Sequence, residues 1–203
     1  MMPVSLSHLK SALRDARRAF ANHAFERDDA GAIHFQRSSL LAAGKYNVRV
    51  NGGEWSPDIP NLLPTEGLIY LLNLLGDHIA IADLYIALYA TALTPIAGHT
   101  GASFTATYGE ITSGTEGYTE ATRVAWVTAT ASGTAVLNNY ASPATFTINT
   151  ASTLAVEGVG MLTTSAKGDT TGKLVSASRF PATRNFSDED TFDVKYQIGL
   201  SST

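Results

Sequence analysis

The stretch Asn61–Ala90, NLLPTEGLIYLLNLLGDHIAIADLYIALYA, contains the strongest change of pattern in the chain. Pro64 suits a first helical turn, because the N–H that proline lacks has no helical partner there. Asn61 is a candidate cap, and Glu66 lies where the helix dipole favours an acid. The apolar run that follows predicts a helix over residues 64–75. Since nearly every side chain is apolar, we expect this helix to be buried, and it is too short to span a membrane.

Beyond this helix the apolar period changes to two, which is typical of β-strands. Residues 81–93 predict a long buried strand, and the Gly/Thr-rich residues 94–118 predict a loop with short extended pieces. Short alternating strands separated by turn residues favour a mainly β fold, an antiparallel β-sandwich or jelly roll, with helix 64–75 covering an end or open edge. The later strands are predicted over Ala121–Ala131, Ala135–Asn139, Ala144–Asn149, Leu154–Thr163, Lys173–Phe180 and Thr191–Leu200.

Residues 1–60 predict an N-terminal arm, part helical and part extended, that is ordered mainly by contact with neighbouring molecules. Asn51-Gly52 is a strong hairpin signal, because both residues tolerate positive φ, and it follows an alternating strand over residues 46–50. A helix is predicted from Ser5 to about Phe25. Its apolar and basic faces supply the candidate partner-binding residues, which are Leu6, Leu9, Leu13, Arg14, Arg17, Arg18 and Phe20. The predicted division is therefore an arm over 1–60 and a β-sandwich domain over 61–203.

Composition limits the classes of protein that fit. The chain has 203 residues, is 44% hydrophobic and contains no cysteine, so it can bury one sizeable core but cannot form disulfides or thiolate metal sites. Residues 1–50 carry eight Lys/Arg against four Asp/Glu, whereas the remainder carries six against fourteen. This split suggests a basic arm on an acidic surface, an acidic body kept soluble by its charge, or simply a solvated helix face. The basic helix lacks interleaved aromatic residues, so we do not expect it to bind nucleic acid.

No catalytic, cofactor or metal motif appears in the sequence. The five histidines are scattered, and the cluster Asp188–Asp190 with Asp193 lacks the ligand spacing of a calcium loop, so it predicts a solvated turn. Trp126 and Tyr118 suggest a sugar-stacking alternative, but Trp126 alternates with Val124, which favours core packing. We therefore expect no enzyme activity and no cofactor.

Glu120 and Arg123 lie together at the entry to a predicted strand. The structural interpretation is a salt bridge or a loop-fixing guanidinium fork, and the functional alternative is a contact between subunits. The first is favoured, because exposed pairs of this kind are common and need no partner molecule.

Six segments of the chain stand out by their order and spacing. They are NLLPTEGLIYLLNLLG, ADLYIALYA with a following TP loop, YTEATRVAW, NNYASPATFTIN, LTTSAKGDTTGKLVSASRF and the final alternating strand. Through these segments the chain resembles a family of largely uncharacterised virion proteins of tailed bacteriophages. The resemblance covers residues 61–203, whereas residues 1–60 are extra to the usual shorter form.

The resemblance implies a non-enzymatic component of the virion, assembled in the host cytoplasm, without site residues to carry over. One role that fits is a capsid decoration protein that binds the major capsid protein through its N-terminal arm. The other is a neck, tail or fibre-base protein that binds other virion proteins. In either role a homo-oligomer is expected and a membrane is not, while a carbohydrate-binding or carbohydrate-active module is a more distant alternative.

Overall fold

The computed structural model describes residues 26–27, 33–34, 40–80, 82–131 and 133–202. The chain divides into two compact units, one formed by residues 1–41 with 201–203 and the other by residues 42–200. In the first unit, Glu26–Arg27 and Ile33–His34 pair as antiparallel strands. The helix predicted over residues 5–25, with its candidate partner-binding residues, lies outside the described residues.

The described residues form twelve β-strands and two α-helices. In chain order they are β1 (Glu26–Arg27), β2 (Ile33–His34), β3 (Leu40–Val50), β4 (Ile59–Pro60), α1 (Thr65–Leu75), β5 (Tyr85–Tyr89), α2 (Gly101–Ala106), β6 (Gly117–Tyr118), β7 (Val124–Ala125), β8 (Val136–Asn138), β9 (Ala144–Asn149), β10 (Leu154–Leu162), β11 (Leu174–Phe186) and β12 (Thr191–Ser202).

Residues 42–200 contain two antiparallel sheets. The larger sheet has the order β4-β3-β12-β9-β6, with β8 also paired to β12, and the smaller has the order β11-β10-β5-β7. A continuous cluster of buried side chains comes from both sheets, including Tyr46, Phe146 and Tyr196 from the larger and Leu88 and Val159 from the smaller. The predicted antiparallel β-sandwich is therefore confirmed, while the jelly-roll connectivity stays a prediction.

The hairpin at Asn51-Gly52 is confirmed, but the domain boundary at residue 60 is wrong. Both turn residues have positive φ, and β3 pairs with β4 across the turn. The side chains of Tyr46, Val48 and Ile59 are nevertheless buried in the core, so residues 42–60 belong to the sandwich and are not an arm. The sequence shows the alternation of β3, but it does not show that β3 pairs with β12, which lies about 150 residues away in the chain.

The helices differ from the prediction in two ways. The helix α1 has the predicted bounds and packs against the edge strand β11, but it is not buried. The six-residue α2 lies where a loop was predicted, with Thr100 as its N-cap. Phe104 of α2 lies against Gly160 of β10 and forms a second buried cluster with Tyr89 and Tyr108. No described helix is long and apolar enough to cross a membrane.

The strand predictions are closest where alternation is strict. The predicted bounds of β9 are exact, and those of β10 and β12 differ by one or two residues. The strand β5 is shorter than the predicted 81–93, because Ala90 and Thr91 instead donate to the carbonyls of Gly109 and Tyr108. The predicted strand over 121–131 is reduced to the two residues of β7.

Candidate interaction surface

The helix α1 is fixed on the sandwich by its N-terminal turn. Pro64 is the N-cap residue, and Glu66 lies in the first turn as predicted. The Glu66 carboxylate accepts hydrogen bonds from the backbone N–H groups of Gly101 and Leu174, both at 2.8 Å, and pairs with the Lys173 ammonium at 3.3 Å. Glu66 therefore ties α1 to the start of α2 and the start of β11. Asn61 does not cap the helix; its side chain donates instead to Ser176 and Tyr196.

The outer side of α1 is apolar and exposed, which corrects the prediction of a buried helix. Leu71 and Leu74 pack against the core, and Gly67 lies against the backbone of Val175. Four side chains point away from these contacts, with exposed fractions of 46% for Leu68, 54% for Ile69, 68% for Leu72 and 63% for Leu75. We call these four residues the α1 ridge. When a predicted helix is apolar on every side, its sequence does not show which side packs against the rest of the chain. The exposed α1 ridge was therefore not predicted.

The α1 ridge stands between two grooves. One, of about 450 Å³, is lined mainly by apolar side chains, among them Leu75, Trp126, Leu137 and Ile198. The other, of about 460 Å³, is lined by residues of the first turns of α1 and of the segment 97–100. Tyr70 lines both grooves, and its buried hydroxyl has no hydrogen-bond partner among the described residues. A ridge flanked by grooves offers an irregular apolar surface that a partner protein can enclose.

The electrostatics at the C-terminal end of the ridge are negative. The last turn of α1 contains no basic residue, and the exposed Asp77 follows directly after the helix. Asp83, also exposed, lines the groove of about 450 Å³ that contains Trp126. The helix dipole adds partial negative charge at the same place. A surface that complements the ridge should therefore combine apolar side chains with Lys or Arg at this end.

Arg123 is a structural residue that holds loops in place, as the favoured interpretation predicted, but it is buried and not exposed, and Glu120 is not its partner. The side chains of Arg123 and Glu110 are both fully buried, and they pair through two hydrogen bonds of 2.7 Å. The remaining N–H groups of Arg123 donate to Thr164 and to the carbonyl of Asp169, so all five donors are used. Glu120 instead accepts from the backbone N–H of Thr147. Arg123 therefore fixes the loops around β7, and being buried it cannot be an exposed contact between subunits.

Trp126 and Tyr118 do not form a sugar-stacking site. Trp126 is half-buried against Tyr196 and donates its indole N–H to the Tyr196 carbonyl at 3.3 Å, as core packing predicted. Tyr118 is fully buried, and burial raises its pKa. The ammonium of Lys167 covers the Tyr118 ring at 3.5 Å from the centroid, and burial lowers the pKa of this lysine.

The acidic cluster at 188–190 forms the turn between β11 and β12, in which Asp190 accepts from the Ser187 N–H at 2.7 Å. Within the described residues, no group of three or more His, Asp or Glu side chains has the geometry of a metal site. Searches of family models, curated proteins and solved structures found no match to this chain.

Proposed function

We propose that the chain is a non-enzymatic structural component of a tailed-phage virion, and that it decorates the capsid by binding the shell through its N-terminal arm and the α1 ridge. The observation that carries the proposal is the ridge itself. Four large, exposed apolar side chains lie together on one side of α1, and a grouped apolar surface of this kind is typical of a protein–protein contact. The resemblance of residues 61–203 to virion proteins supplies the setting.

The partner surface follows from the chemistry of the ridge. An apolar patch with Lys or Arg at one edge would cover Leu72 and Leu75 and would face Asp77 and Asp83. We assign this surface to the major capsid protein, because a shell repeats the same site many times and a decoration protein covers it repeatedly. The basic arm adds contact area without requiring a larger core.

Copy number separates decoration from the neck, tail or fibre-base alternative. Decoration predicts on the order of hundreds of copies per particle, whereas a ring on a single axis predicts roughly three, six or twelve. The measurement is the ratio of this protein to the major capsid protein in purified virions. A ratio that corresponds to roughly three, six or twelve copies per particle would reject decoration but keep the protein in the virion. If the protein is absent from purified particles, both roles are rejected.

The role of the ridge is tested separately by the double substitution Leu72→Ser with Leu75→Ser. Because both side chains are exposed, the folded protein should keep its unfolding midpoint, while its incorporation into particles should fall by at least about tenfold. The matched control is Leu200→Ser, which changes an exposed leucine at the end of β12. Equal loss in the control, or normal incorporation of the double variant, would contradict a contact through the ridge.

A further inference from the structure

A second surface, on the outer face of the larger sheet, combines aromatic rings with cations. Along β3 and β12 the side chains of Arg49 and Lys195 point away from the core, since their neighbours Val48, Val194 and Tyr196 are buried. Trp55, from the connection after β3, lies across them. The Arg49 guanidinium is 4.6 Å and the Lys195 ammonium 3.8 Å from the Trp55 ring centroid. Trp55 is half-buried.

Tyr140 extends this surface along the sheet. Its ring centroid is 5.2 Å from the Lys195 ammonium, and its hydroxyl donates to Gln197 at 3.0 Å, while 38% of the residue is exposed. Trp55, Tyr140, Arg49 and Lys195 form what we call the Trp55 platform. The Lys195 ammonium therefore lies close to two aromatic rings, each of which belongs to a residue that is not fully buried.

The charges on the platform are almost balanced. The Arg49 guanidinium donates to Asp193 at 2.7 Å, and nearby Lys45 pairs with Asp58 at the same distance. Lys195 has no ion-pair partner within the described part of the chain. The platform therefore offers one uncompensated positive charge beside two rings.

This combination fits a sugar ring that carries a carboxylate. The C–H face of a pyranose packs on an aromatic ring, and a carboxylate on the same sugar would pair with the Lys195 ammonium. A nucleic acid fits less well, because its binding depends on neutralising many phosphates, and residues 51–203 carry fourteen acidic against six basic side chains.

We propose that the Trp55 platform binds an acidic glycan, with sugar rings stacked on Trp55 and Tyr140 and a carboxylate paired with Lys195. This function is independent of shell binding, because it uses a different surface and requires only the isolated protein. A virion protein with such a site would bind acidic polysaccharide on the outer face of its larger sheet.

Trp55 itself reports the binding. The chain contains two tryptophans, so the full-length Trp126→Phe variant leaves Trp55 as the sole indole fluorophore. Polygalacturonate should change its fluorescence in a saturable way, and the same polymer with its carboxylates esterified should bind about tenfold more weakly. Lys195→Gln in this background should weaken polygalacturonate binding by about the same factor. Lys173→Gln, which removes an exposed lysine beside α1, should leave binding unchanged.

Affinity electrophoresis in polygalacturonate gels tests Trp55→Ala, which should migrate unretarded. If that variant fails to fold, the Lys195→Gln titration still decides. The proposal is overturned if polygalacturonate does not bind, or if its esterified form binds as tightly. It is also overturned if oligothymidylate, which tests the nucleic-acid alternative, binds as tightly as polygalacturonate. A third contradicting result is that Lys173→Gln weakens binding as much as Lys195→Gln.

Discussion

Arg123 shows how far sequence reasoning reaches at the scale of single residues. Its role in fixing loops was predicted from its place at the entry to a strand. Its partner was not, because Glu120 lies three residues away in sequence whereas Glu110 lies thirteen away and meets it only through the fold. An exposed pair and a buried pair look identical in a sequence, yet their energies differ several-fold.

Removing the Arg123 guanidinium should cost much of the protein's stability. In Arg123→Met, the Glu110 carboxylate stays buried without its partner, so we expect the free energy of unfolding in urea to fall by about 3–5 kcal/mol. The additional change Glu110→Leu should recover part of that loss, because it removes the unpaired charge.

The matched control for this prediction is Arg179→Met. Arg179 is 41% exposed and lies 3.7 Å from Glu157, so its loss should cost less than about 1 kcal/mol. Similar losses for Arg123→Met and Arg179→Met would show that burial does not set the energy of the Arg123 pair.

Tyr196 should make the fold sensitive to alkaline pH. Burial raises its pKa to about 12, and the hydroxyl also accepts a hydrogen bond from Asn61. Below about pH 10 the phenol is protonated in both states and its contribution to stability is complete. Between about pH 10 and 12 the unfolded chain loses this proton while the folded chain keeps it, so the contribution of Tyr196 to stability falls by about 1.4 kcal/mol per pH unit.

Urea unfolding at several alkaline pH values checks the Tyr196 prediction. Tyr196→Phe should lose stability with pH less steeply than the unchanged chain, by about one proton. Tyr140→Phe serves as the control, because this exposed tyrosine should alter the slope less. Parallel slopes for the unchanged chain and Tyr196→Phe would contradict the assignment.

At the scale of elements, the sequence predicts whatever repeats along the chain and misses what depends on a neighbour. The strands β9 and β12 were found because Phe146, Ile148, Phe192 and Val194 alternate with polar residues. The helix α2 was missed because six residues rich in Gly, Ala, Ser and Thr show no apolar period. The bounds of α1 were found, but its exposure was not, because burial needs a partner surface that periodicity does not reveal.

The seat of α1 on β11 should depend on Gly67. A Cβ added there would meet the carbonyl oxygen of Val175, which is backbone and cannot rotate away. Gly67→Ala should therefore lower the free energy of unfolding by about 1–3 kcal/mol, even though alanine favours the helix by about 1 kcal/mol. Gly98→Ala, where a Cβ would meet nothing within 4 Å, should change stability by no more than about 0.5 kcal/mol. Equal urea midpoints for the two variants would contradict close packing of α1.

At the scale of the whole molecule, the main error was the boundary between arm and body. The balance of charge changes near residue 50 and the apolar run begins after residue 60, whereas the packing boundary lies between residues 41 and 42. The hairpin β3–β4 looked like part of a polar arm because its exposed residues are charged. Its buried alternate residues, Tyr46 and Val48, complete the core facing the smaller sheet.

Two truncations test where the body begins. A chain lacking residues 1–39 keeps β3 and should unfold cooperatively in urea with its β-rich circular dichroism intact. A chain lacking residues 1–58 loses β3, so β12 loses one of its neighbouring strands and the core loses Tyr46 and Val48. Losing two buried side chains of this size costs roughly 5 kcal/mol or more, comparable to the whole stability of an ordinary domain, so this chain should not fold. If the chain lacking residues 1–58 unfolds cooperatively, the predicted boundary at residue 60 is restored. If the chain lacking residues 1–39 does not fold, residues 1–39 are needed for the sandwich to fold.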